Sequence, residues 1–154
     1  MIDQPAHIVV RLPVKGERLE EIIDKHNTVV RVSGAVLFGI RGQAPSRNRT
    51  QSLSTQISDG MTTFLYVVQV QAPNIRVFRA EIISLTESLP ASESALVPPY
   101  YVEFQPDKPV VFWMKVGVFG EIPQQVLKGL KLQFTGSPLI HVLMKSRGSV
   151  LVVS

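Results

Sequence analysis

The chain has 154 residues, 16 basic and 12 acidic side chains, no cysteine and a formal charge of +4. That length fits one domain over 1–154 whose core needs no covalent staple; the lack of cysteine excludes disulfides, thiolate zinc sites and cysteine nucleophiles. With 45% apolar residues, no apolar run of membrane-spanning length and no secretion signal in residues 1–5, a folded cytoplasmic protein without membrane contact is expected.

The predicted elements alternate unevenly. Ala6 to Leu12 reads as a strand stopped by Pro13, and Leu19, Ile22, Ile23 and His26 recur at helical spacing before Asn27 ends the helix. Thr28 to Val32 and Ala35 to Arg41 are β-like, split at Ser33-Gly34. Gly42 to Arg49 is a small, polar, basic loop, and Thr50 is positioned to cap a short helix carrying Leu53 and Ile57, closed by Gly60. Thr62–Gln71 and Ile75–Leu85 form a hairpin about Ala72-Pro73-Asn74. A proline-rich connection over 86–109 leads to a buried strand, Val110–Val118. Pro123 then opens a short helix with Val126, Leu127 and Leu130 on one side, and Leu139–Lys145 with Ser149–Val153 make a closing strand pair. So few helices between strands exclude a doubly wound parallel sheet. An α+β fold is expected instead: a strongly curved mixed sheet or small barrel with two or three short helices. The final strand, ending at Ser154 without a tail, suggests the N-terminal part of a longer protein.

Charge is segregated. Residues 25–58 carry five basic groups and no acid, residues 59–107 two and six, and residues 108–154 six and one. Two basic segments brought together would make a face suited to a polyanion; apart, they are ordinary solvated faces. Phosphate-loop, dinucleotide, zinc-protease and nucleophile-elbow motifs are absent, so no catalytic role, metal or cofactor is assigned. The constellation that remains is a basic loop with aromatics near it. Nucleobases taken out of a stack are held on aromatic faces while arginines hold phosphates. Phe64, Phe78 and Trp113 sit at strand spacing and are assigned to the core. Phe38 feeds the basic loop, and Tyr100, Tyr101 and Phe104 lie in the irregular connection.

These residues resemble EVE domains and, more loosely, YTH domains of the PUA-like superfamily. Leu37-Phe38-Gly39-Ile40-Arg41-Gly42-Gln43 is similar to the Trp-x-Gly-[Val/Ile]-Arg-Asn stretch of EVE domains, and Asp59-Gly60 with Phe64-Leu65-Tyr66 to their Gly-Asp turn and the strand after it. Ser146-Arg147-Gly148-Ser149-Val150 resembles their closing Ser-Arg-x-Ser-Val strand. Val110–Val118, with Glu121-Ile122-Pro123 and the helix after it, resembles the end of YTH domains. The resemblance is collinear over about residues 33–154, with Phe38 in place of tryptophan, Gly42 in place of asparagine and the turn inverted. It implies a PUA-like pocket that reads a base carrying a methyl or similar group. In prokaryotes that pocket belongs to the target-recognition part of a modification-dependent restriction system, with a fused or associated nuclease or motor.

The expected pocket is therefore Phe38, Tyr100 and Tyr101, with Arg41, Gln43, Ser46, Arg47, Asn48 and Arg49 binding the nucleic acid around it, DNA ahead of RNA. Two rivals stay open. One is a protein-interaction or assembly module using an open edge of TTFLYVVQVQ; the other is a metal-independent nuclease using His7 and His141 on facing strands.

Overall fold

The computed structural model describes residues 4–13, 18–103, 109–145 and 150–154; Phe104 and the Ser146–Ser149 part of the closing motif lie outside them. In chain order the elements are β1 (His7–Arg11), α1 (Leu19–Ser33), β2 (Val36–Arg41), α2 (Arg47–Ser58), β3 (Phe64–Gln71) and β4 (Asn74–Thr86). A 3-10 segment (Ala91–Leu96), α3 (Tyr100–Glu103), β5 (Val110–Val116), β6 (Gly120–Ile122), a second 3-10 segment (Gln124–Gly129), α4 (Leu139–Lys145) and β7 (Val150–Val153) follow.

The strands run in the order β2-β5-β4-β3-β1-β7, with β6 added beside β4. β1 is parallel to β3 and every other pairing is antiparallel, so the α+β class with a mixed sheet holds. The long strand β4 makes the corner. Its first part pairs with β3 and its last part with β5, and a register shift between Ile82 and Ser84 bends it between the two, as a bulge does. The sheet curls enough that residues of β2 at one edge and β7 at the other line one cavity.

The main core lies inside the curl, where Ile8, Leu65, Val67, Phe112 and Met114 meet α1 and α2 through Leu19, Ile23 and Leu53. A second cluster on the outer face packs Leu127, Leu139 and Leu143 over Val9, Val68 and Val153. Phe78 and Trp113 are buried as expected, whereas Phe64 is half-buried, with the Arg79 guanidinium 4.3 Å from its ring centroid.

Four sequence expectations are corrected. First, α1 does not end at Asn27 but runs on through Thr28–Val32. The β-branched run favours a strand only weakly. Here Val29 and Val30 pack on the core, and Gly34, at φ +83°, closes the helix by donating its N–H to the Val30 carbonyl. Second, α2 begins at Arg47 because Ser46, not Thr50, is the N-cap: the Ser46 hydroxyl accepts from the Arg49 N–H, and Thr50 donates its hydroxyl to the Arg47 carbonyl. Third, Leu139–Lys145 is helix α4, not a strand. Its run is too short for periodicity to decide, and Leu139 and Leu143, four apart, are the pair that the outer cluster buries. β7 pairs with β1 instead. Fourth, β3 offers no open edge, because it lies between β4 and β1.

Candidate nucleic-acid interface

The cavity where the curl fails to close has a volume of about 300 Å³ and lies between the ends of β1, β2 and β7. Val10, Leu12, Ile22, Phe38, Ile40 and Val150 supply apolar walls, Tyr100 and Tyr101 come in from α3, and Arg11 and Arg41 add cationic side chains from β1 and β2. Ligand pockets span about 300–1,000 Å³, so this one suits a group no larger than a base or similar flat ring. The predicted aromatic trio Phe38, Tyr100 and Tyr101 does line a single cavity.

One hydrogen-bond chain sets its shape. Tyr101 is buried, and its hydroxyl lies 2.8 Å from the Gly39 N–H on the β2 edge and 2.6 Å from His26 Nε2. On its other side, His26 Nδ1 lies 2.7 Å from the Ile22 carbonyl one turn back along α1. The carbonyl can only accept, so Nδ1 carries the proton; Nε2 then accepts from Tyr101, whose oxygen accepts from Gly39. Burial lowers the His26 pKa to about 4, against a smaller opposite effect of the Ile22 carbonyl, and burial pushes the Tyr101 phenol up. Both groups are neutral at pH 7, so the cavity's positive charge comes from arginine.

Gly39 is required by crowding. A Cβ there would sit 2.7 Å from Val110 Cγ1, 2.9 Å from Trp113 Cζ3 and 3.0 Å from Tyr101 Cε1. A glycine inside a strand often marks such a close approach, and that was the signal available in the sequence. Around the edge, Tyr100 packs edge-on against Tyr101 at 4.9 Å, and the Lys25 ammonium lies 5.8 Å from the Tyr100 ring. Arg41 donates to the Tyr101 carbonyl at 2.6 Å and holds its guanidinium 5.7 Å from the same residue's ring. Arg11, which the sequence reading missed, donates to the Leu143 carbonyl at 2.8 Å and so caps the last turn of α4 while lining the cavity.

The other predicted contact residues do not line the cavity. Gln43 is exposed beside the cavity residue Gly42, Ser46 caps α2, and Asn48 is exposed on its first turn. Arg47 is exposed and lies 3.7 Å from Glu87. Arg49 faces Phe134, in the second basic segment. The two basic segments thus meet at Arg49 as well as at the cavity, where Arg41 and Val150 both line the wall.

The histidine pair does not form on facing strands. His7 is on β1 and its Nδ1 accepts from the Phe64 N–H at 3.0 Å, whereas His141 is exposed on α4. Among the described residues no three His, Asp or Glu side chains converge as a metal site would need, and no helix is long and apolar enough to cross a membrane.

No protein-family model and no curated protein matches this chain. Among solved structures it is similar to the YTH domain of the Zygosaccharomyces rouxii MRB1 protein in complex with N6-methyladenosine RNA. The identity is 14% and the TM-score 0.40, over 96% of this chain and 76% of that one.

Proposed function

We propose that the chain binds nucleic acid and reads a modified base turned out of its strand into the cavity between β1, β2 and β7. The observation that carries this reading is the coincidence of a base-sized apolar and aromatic slot with two arginines and, among the described residues, no acidic side chain lining it. An added methyl would find apolar wall, worth about 1 kcal/mol, while guanidinium groups hold acceptor edges or phosphates without distinguishing sequence. The sequence resemblance extends the proposal to methylated DNA ahead of RNA. It also extends it to a role as target-recognition module of a modification-dependent restriction or defence system, working with a fused or associated nuclease or motor.

The test is fluorescence anisotropy of the purified chain against plain, cytosine-methylated and adenine-methylated duplex DNA and single-stranded RNA at two salt concentrations. Tighter, salt-sensitive binding to one modified substrate is expected, with the preference lost in Val150→Phe, which adds a ring to the cavity wall. A wild-type chain that binds modified and plain substrates alike overturns the reading.

A further inference from the structure

Away from the cavity, Phe134 stands 84% exposed at the tip of a turn. The turn is firmly built. Gly136, at φ +74°, donates its N–H to the Leu132 carbonyl at 2.8 Å, and Leu132 donates to the Ser137 carbonyl at 2.9 Å. Its base is laid along β7: Lys131 and Ser154 exchange both backbone hydrogen bonds, and Gln133 donates to the Val152 carbonyl at 3.1 Å. An exposed Phe alone means little. This one is held in place with the Arg49 guanidinium 5.7 Å from its ring centroid, beside an open hollow of about 600 Å³ that it lines with Gln4, Arg49, Lys131 and Gln133. Among the described residues, the ionisable side chains lining that hollow are both basic, and the remaining polar ones are amides and the Ser154 hydroxyl.

We infer that this surface is a second nucleic-acid contact, at which an unpaired, unmodified base stacks on Phe134 while Arg49 and Lys131 take the phosphates on either side. A ring with an open face, a cation on the ring and a further cation beside it match a partner that carries flat bases and regularly spaced negative charge. The position fits the same strand that enters the cavity, which rests on the function proposed above. Val150 at the start of β7 lines the cavity and Ser154 just past its end lines the hollow. Four residues of strand separate them by about 13 Å.

The experiment measures binding of the full chain to short plain oligo-dT and oligo-rU, which present no modified base. Salt-sensitive binding is expected, weakened about 5- to 150-fold by Phe134→Ala, the range one lost base stack gives, and restored by Phe134→Trp. Lys131→Gln is expected to flatten the salt dependence by about one phosphate contact. Phe134→Ala binding as tightly as wild type, or wild type failing to bind either plain strand, overturns the inference. The cavity reading fails on a different result, the absence of any preference for a modified base.

Discussion

Tyr101 and Phe134 each have an arginine guanidinium 5.7 Å from the ring centroid, and the fold uses the two rings in opposite ways. Tyr101 is buried: its hydroxyl joins Gly39 to His26, its carbonyl holds Arg41, and its ring meets Trp113 at 5.2 Å. Phe134 has no polar atom on its side chain to satisfy and keeps its face in solvent. The first ring gives a cavity its shape and the second offers a surface. An aromatic beside an arginine therefore does not announce its role; the hydrogen bonds around the ring decide it.

The sharpest break of that comparison is Tyr101→Phe. It leaves the ring but orphans the Gly39 N–H and His26 Nε2, at about 1–3 kcal/mol for each group, so a loss of about 2–6 kcal/mol is expected in urea denaturation. An unchanged midpoint would show that the hydroxyl carries no such load. Acid should act on the same chain. His26 is held near pKa 4 against 6.5 when unfolded, so the unfolded state binds more protons below pH 6.5. Its contribution is complete above that pH, falls by about 2 kcal/mol at pH 5 and by about 3 kcal/mol below pH 4. His7, lowered by burial and by Arg79, adds in the same direction. Stability that stays flat between pH 7 and 5 would contradict a neutral, buried His26.

Gly39→Ala probes the crowding, and about 1–3 kcal/mol of destabilisation is expected from overpacking against Val110, Trp113 and Tyr101. A loss of preference for the modified substrate should accompany it in the anisotropy assay. The smallest effect belongs to the other ring: Phe134→Ala should change stability by less than about 0.5 kcal/mol while weakening plain-strand binding. A large stability loss there would make Phe134 a structural residue and erase the contrast.

Much of the fold was legible because its signals are local. β1, β2, the hairpin of β3 and β4, β5 and the first half of α1 follow from apolar pattern and turn residues. The misread segments are those where local preference is weak or evenly matched. Ser46 and Thr50 are both good caps, and only the side-chain bond to Arg49 separates them. Leu139–Lys145 is too short to show a period, and Thr28–Val32 is drawn into α1 by packing. In the site, Phe38 and Arg41 could be named from sequence because their strand leads into an unusual loop, and Tyr100 and Tyr101 because an unusual connection contains them. Arg11 and His26 could not, since what matters about each is a partner far along the chain, Leu143 and Tyr101 respectively.

The pairing of β1 with β7 brings His7 opposite Val153 and Val10 opposite Val150. That join gives the site a place in time. A nascent chain makes β1 well before β7, yet Arg11 and Val10 face no completed wall until β7 has been synthesised and has docked. Closing so long a loop is entropically unfavourable and makes the topology slow to reach. The pocket consequently forms late relative to β1 and β2, and a chain caught before β7 docks has a cavity that lacks its Val150 wall.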